Sequence, residues 1–261
     1  MKFVPDEIVS KFCPEIVFHK REKYFPSSAD FYINSADISK TGHLNLRNKI
    51  DRMGEHDVSR VPIYITTKRV RHLETKQLLA IEMNYILFFP YKNKGLFGIT
   101  GHEGDWQHIT IRLTPELELE GVYYSNNSIG TWIKGTDVPR NPQTGRILAY
   151  SSMGSHCLWP TCNIYSRSNY NNHWVPGQIK TLYAICNENV YQSQIPDNLA
   201  VNYSFNIYDN HGYPSVTGEF GMWQRFNGMW GKSRSYKDND WFNRAENTSS
   251  SNLYSRCLTL F

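Results

Sequence analysis

The sequence predicts a mainly β protein, an antiparallel β-sandwich of jelly-roll type with long loops and a few short helices. Short apolar stretches recur with turn residues at intervals of roughly 8–12 positions, the spacing of a sandwich or jelly roll. Aromatic residues supply 14% of the chain, with 17 Tyr and 7 Trp, and such side chains suit a pleated, half-buried surface. No apolar pattern of helical period persists beyond about three turns.

In chain order, Asp6–Phe12 has the pattern of a short helix behind Pro5. The stretch from Glu15 is a short strand, and the chain turns at Pro26. Residues 30–57 are polar, hold Gly42 and Gly54, and alternate poorly, which predicts a long loop with helical fragments. Val61–Thr67 is a strand and Arg69–Thr75 a charged turn. Ile81–Phe89 is apolar on both parities, as in a strand covered on both faces. Pro90 and the glycines at 95, 98, 101 and 104 then predict a loop. After it the alternation is strict. Asp105, Gln107, Ile109, Ile111 and Leu113 share one face, and Trp106, His108, Thr110 and Arg112 the other.

Further strands are predicted at Glu120–Ser125, Gly130–Ile133 and Arg146–Ser152, with a loop over Lys134–Thr144. Residues 160–178 read as a surface excursion, followed by strands at Thr181–Ile185, Glu188–Tyr191 and Leu199–Tyr208. Residues 240–261 form a polar C-terminal tail. No repeat and no composition break divides the chain, so one β-sandwich domain over 1–261 is expected.

The net charge is +4, with no run of Lys or Arg, and no nucleic-acid partner is expected. No run approaches the ~20 apolar residues that cross a membrane as a helix. The N-terminus carries charge where a signal peptide needs an apolar core. A cytoplasmic protein is expected, with peripheral membrane association or unconventional release left open. The five cysteines are odd in number and widely spaced, which fits reduced thiols.

If the isoleucines of the alternating strand face the core, Asp105 and Gln107 lie at the mouth of that same inward face. A carboxylate there is costly to desolvate without a hydrogen-bonded or cationic companion. His102, Asp105 and Gln107, joined by Asn93 or Glu103, offer oxygen ligands and one imidazole in a Gly-rich loop. That set suits a calcium, magnesium or manganese ion. It also suits a plainer arrangement in which Asp105 accepts loop amides and His102 caps a turn. Ser155 and His156 are adjacent and point apart, so they do not form a nucleophile–base pair with each other. His156 reaching Asp105 across the sheet would give a His–carboxylate couple. Cys157 and Cys162 with His156 and His173 lack zinc-site spacing. Glu15, Glu22, Asp137 and Glu219 supply acids whose separations the sequence does not give. Trp132, Trp159 and Trp174 lie among Gly, Asn and Ser, a setting common at sugar and lipid-headgroup surfaces. No nucleophile elbow, Walker loop or dinucleotide fingerprint is present.

Five ordered segments carry a resemblance. They are Lys20–Ser28 (KREKYFPSS), Tyr85–Asn93 (YILFFPYKN), Gly101–Thr110 (GHEGDWQHIT), Tyr150–His156 (YSSMGSH) and the Trp230-Gly231 region. Together they resemble the vacuolar protein sorting 62-related family. Gln107 stands where that family's pattern usually has Glu. Gly101–Gln107 is also similar to the heptapeptide of the necrosis- and ethylene-inducing-peptide-like cytolysins, which helps bind a divalent cation. That likeness implies metal-binding positions at His102 and Asp105, an imperfect one at Gln107, and Asn93 near an upstream Asp position.

The expectation is a non-catalytic protein that takes a glycan or lipid headgroup at a rim site, with a divalent cation as the cofactor to be tested. One alternative is a metal-dependent hydrolase in which His102 and Asp105 hold the ion and His156 is the acid/base. The other is a structural or self-assembling protein, and a homo-oligomer is left open.

Overall fold

The computed structural model describes residues 4–19, 21–40, 42–55, 58, 61–71, 75, 77–93, 101–126, 129–161, 205–208, 214–216 and 230–231. Its helices are α1 (Asp6–Phe12) and α2 (Ala29–Ser35). Its strands are β1 (Glu15–Phe18), β2 (Ala36–Ile38), β3 (Leu44–Leu46), β4 (Tyr64–Arg71), β5 (Leu78–Lys92) and β6 (His102–Leu113). They continue with β7 (Leu119–Asn126), β8 (Ile129–Lys134), β9 (Leu148–Ser151), β10 (Leu158–Trp159), β11 (Phe205–Tyr208) and β12 (Pro214–Val216). Single 3-10 turns lie at Lys49–Met53 and Gly135–Asp137.

Seven strands form one sheet in the order β12-β11-β4-β5-β6-β7-β8, three form a smaller sheet β1-β9-β10, and β2-β3 is a hairpin. The ladders are antiparallel except β1 on β9 and β11 on β4, which are parallel. Both faces of the large sheet are covered, which is why Ile81–Phe89 is buried on both parities, the polar Glu82 and Asn84 included. On one face Ile81, Met83, Tyr85, Leu87 and Phe89 of β5 join Ile109, Ile111 and Leu113 of β6. They pack with Ile16 and Phe18 of β1, Ala149 of β9, Leu158 of β10 and Val9 and Phe12 of α1. This is the sandwich core. On the other face Ile86, Phe88 and Trp106 pack with Tyr32 of α2, Leu44 of β3 and Trp230.

The helix at Asp6–Phe12 stands where the sequence places it, and Tyr85 Oη donates to the Val9 carbonyl at 2.6 Å to seat it. Three expectations are corrected. Residues 30–57 hold α2, the β2–β3 hairpin and a 3-10 turn rather than mainly loop. Ser28 starts α2 by accepting the Phe31 amide at 3.0 Å. The charged stretch from Arg69 does not open a turn, because β4 continues to Arg71 against β5. Pro90 does not end its strand: β5 runs on to Lys92, and pairing with β6 resumes at Tyr91↔Glu103 and Lys92↔His102.

The predicted strands at Thr181–Ile185 and Glu188–Tyr191 lie outside the described residues, as does the 240–261 tail. Cys13 and Cys157 are buried. Among the described residues no helix is long and apolar enough to cross a membrane.

Candidate functional site

Local irregularity in the β5–β6 ladder makes the site. Phe89 stands opposite Asp105 and Tyr91 opposite Glu103. Between them Pro90 has no N–H to give, and Gly104 adopts φ 70°, a backbone state that favours glycine. Strict alternation puts Glu103 on the face of Asp105, and Lys92 on the face of Phe88. The contacts show the reverse. Glu103 accepts the Leu46 amide at 2.8 Å and Arg52 Nε and Nη2 at 3.0 and 2.7 Å. Leu46 packs on the Trp230 side. Lys92 instead reaches Asp105.

Asp105 is 1% exposed, and each of its oxygens has company. Oδ1 accepts Lys92 Nζ at 3.0 Å and Gln107 Nε2 at 3.2 Å. Oδ2 accepts Gln107 Nε2 at 3.0 Å and lies 3.2 Å from His156 Nδ1. Facing a carboxylate, the Gln107 amide must present its NH₂ group, and the imidazole nitrogen must carry hydrogen. Lys92 and His156 are both fully buried. The Lys92 methylene stem thus ends in an ammonium held by an acid of the same hairpin.

His156 comes from the turn between β9 and β10. Its φ is 57°, a left-handed state unusual for a residue with a β-carbon. Three features hold it there. Its amide donates to the Ser152 carbonyl at 2.9 Å, Asp105 takes Nδ1, and the Phe89 ring lies flat on the imidazole at 3.9 Å. Its Nε2 faces Glu22 Oε1 at 4.0 Å. Glu22 accepts backbone amides of Lys23 and Tyr24 through Oε1, both at 2.9 Å, and of Gly154 through Oε2 at 2.7 Å. Asn93 closes the same corner, its amide donating to the Gly154 carbonyl at 2.8 Å.

Around this closed cluster lies a partly exposed rim. Tyr24 and Tyr91 have ring centroids 4.9 Å apart. The Arg52 guanidinium sits 4.7 Å over Tyr91 while it clamps Glu103. Asn93, His102 and Gly101 border it, each partly exposed.

The structure therefore brings Asp105, Gln107 and His156 together. His102 stands in register with Lys92, its Nδ1 3.3 Å from the Glu103 carbonyl. Asn93 lies at the strand end beside Gly154. Among the described residues no three His, Cys, Asp or Glu side chains are placed to share a metal. The donor set gives the physical reason. Three nitrogens already crowd the Asp105 oxygens, Lys92 Nζ, His156 Nδ1 and a Gln107 Nε2 within reach of both, and Gln107 offers it a donor, not an oxygen. The residues present do not fit a divalent ion on Asp105.

Trp132 and Trp159 lie on different sheets. Trp132 is 37% exposed on the edge strand β8. Trp159 is on the smaller sheet with Nε1 donating to Ser152 Oγ at 2.6 Å. Trp174 lies outside the described residues. Of the acids, Glu15 is taken up by Asn141 Nδ2 at 3.0 and 2.9 Å.

Sequence reasoning missed Lys92 and Glu22 as members of the cluster, and Tyr24, Arg52 and Tyr91 on the rim. A glycine inside the strand, Gly104, was the available signal, because it marks a bulge or a twist.

The vacuolar protein sorting-associated protein 62 family model matches residues 89–255, which include Phe89, Lys92, Asp105 and His156. No curated protein is similar in sequence to the chain. Similar solved structures include Necrosis and Ethylene inducing Protein 2 from the causal agent of cocoa's Witches Broom disease. It is 16% identical over 60% of this chain and 68% of that one, with a TM-score of 0.38. NLPPya in complex with glucosamine is 13% identical over 59% and 64%, with a TM-score of 0.38. NLPPya in complex with mannosamine is 14% identical over 59% and 66%, with a TM-score of 0.39.

Proposed function

The chain belongs to the vacuolar protein sorting-associated protein 62 family, and from that premise we propose that it is a non-catalytic binding protein for a glycan or a lipid headgroup. The ligand is taken at the rim where β5 and β6 end.

The observation that carries this reading is the closure of the Asp105 cluster. Lys92, Asp105 and His156 are each at most 1% exposed, so the groups best suited to chemistry are turned inward on one another. Catalysis requires reactive groups within hydrogen-bond reach of a substrate. Beside the cluster lie the partly exposed side chains of Tyr24, Tyr91, Arg52, Glu103, Asn93 and His102. Aromatic edges, a guanidinium and amide groups of this kind meet sugar hydroxyls or a phosphate. The buried cluster then serves as the rigid footing of the rim, since Glu22 directly precedes the Lys23-Tyr24 amides it accepts.

Binding to a glycan array and flotation with liposomes of neutral and anionic headgroups test this, with glucosamine and mannosamine as soluble competitors. Arg52→Ala and Tyr24→Ala are expected to weaken retention at least tenfold while the fold is kept. Absence of binding to every glycan and vesicle would overturn the reading.

One observation favours a hydrolase as the second reading. Asp105 orients His156 through Nδ1 and leaves Nε2 toward Glu22, the arrangement of a carboxylate-steered base. Hydrolysis of a glycoside or ester substrate panel that disappears in His156→Gln, with folding unchanged, would establish it.

A further inference from the structure

We infer that the Lys92 ammonium is the resident cation of the Asp105 site, and that this site is complete without a divalent metal.

A metal would have to lie on a carboxylate oxygen, and the two oxygens already share three donor nitrogens, Gln107 Nε2 being within reach of both. Lys92 Nζ at 3.0 Å and Gln107 Nε2 at 3.2 Å occupy Oδ1. Gln107 Nε2 at 3.0 Å and His156 Nδ1 at 3.2 Å occupy Oδ2. Hard divalent ions need oxygen ligands at roughly 2.0–2.6 Å, closer than any of these donors could tolerate without being displaced. They also gain affinity from accumulated negative charge. Here the neighbour at 107 is a neutral amide, and its NH₂ end faces inward, a contact built for an anion. The ammonium is at the acid already and repels a second cation across a medium with little water to screen it. Lys92 is fully buried, so this is not a surface lysine that has swung onto a nearby acid.

The β5–β6 register is unchanged across Pro90 and Gly104, and the positive φ of Gly104 marks the local backbone departure beside which Lys92 reaches Asp105. The lysine stem also fills space with methylene groups where a hydrated ion would carry waters.

The test uses the full chain in its purified form. Wild type and Asp105→Asn are dialysed against EDTA, then titrated calorimetrically with calcium, magnesium and manganese chlorides, with metal content measured before and after. The expected result is no difference in metal uptake between the two proteins and a wild-type Tm that neither EDTA nor any of the salts moves. A stoichiometric ion held by the wild type and lost in Asp105→Asn would overturn the inference. Should Asp105→Asn fail to fold, wild-type crystals soaked in manganese chloride decide the matter by anomalous diffraction. No peak in contact with the Asp105 oxygens supports the inference, and a peak bonded to either oxygen overturns it.

Discussion

The ring of Phe89 lies flat on the imidazole of His156, with centroids 3.9 Å apart and planes 7° from parallel. This contact joins the large sheet to the turn of the smaller one, at the level where Asp105 holds the same imidazole through Nδ1. Phe89 is fully buried and belongs to the sandwich core. Truncation therefore removes core volume and the stacking partner of a strained residue together. Phe89→Ala is expected to lower stability by roughly 3–5 kcal/mol, read from urea unfolding. A loss below about 1 kcal/mol would mean that the turn holds His156 without the stack.

His108 gives a pH prediction. Burial pushes its imidazole down to about 4. The native state therefore keeps it neutral while an unfolded chain takes up a proton near the usual value of about 6.5. Its contribution is intact above that value and is lost as pH falls from about 6.5 toward 4. The full loss is on the order of 3 kcal/mol. Urea midpoints at pH 7 and pH 5 should converge in His108→Gln relative to wild type. An identical pH dependence in the two proteins would remove His108 from the account.

Two ion pairs of similar geometry should behave very differently. Arg112 Nη1 meets Glu82 Oε1 at 3.3 Å with both side chains buried, while Arg47 Nη1 meets Asp37 Oδ1 at 3.2 Å with both exposed. Arg112→Met strips a buried acid of a cation and is expected to cost roughly 3–5 kcal/mol. Arg47→Ala, for its ion pair with Asp37, should cost less than about 1 kcal/mol. Chemical denaturation of the two variants checks the contrast, and equal costs would contradict it.

The meeting of β6 with Trp230-Gly231 leaves no room for a side chain. A β-carbon on Gly104 would come within 2.9 Å of the Trp230 β-carbon, and one on Gly231 would collide with the Glu103 carbonyl. Both glycines have positive φ, 70° and 74°. Gly104→Ala should therefore cost at least about 2 kcal/mol and change the intrinsic tryptophan fluorescence as Trp230 is displaced. An unchanged spectrum with unchanged stability would contradict this packing.

Much of the site was legible in the sequence because strand alternation is a strong constraint. The inward face of Asp105, Gln107, Ile109, Ile111 and Leu113 follows from period two alone, and these residues are buried as expected. The pairing of His156 with Asp105 could be anticipated from chemistry, since a buried acid needs a donor. Lys92 was not legible, because strict alternation places it on the face opposite Asp105, whereas its ammonium reaches Asp105. Glu22 was hidden for a different reason. It contacts Gly154, far along the chain, through a backbone amide, which leaves no trace in residue type. Residues 30–57 looked like loop because short elements packed by Tyr32 and Leu44 lack the length for a periodic signal.

The central claim is that Lys92 and Asp105 act as one buried unit, and a double-mutant cycle on that pair tests it most directly. Lys92→Met, Asp105→Asn and the double variant are unfolded in urea beside the wild type. Each single change should cost roughly 3–5 kcal/mol, and the double change should fall short of their sum by at least about 2 kcal/mol. Strict additivity would show that the ammonium and the carboxylate are energetically independent, and would contradict the account.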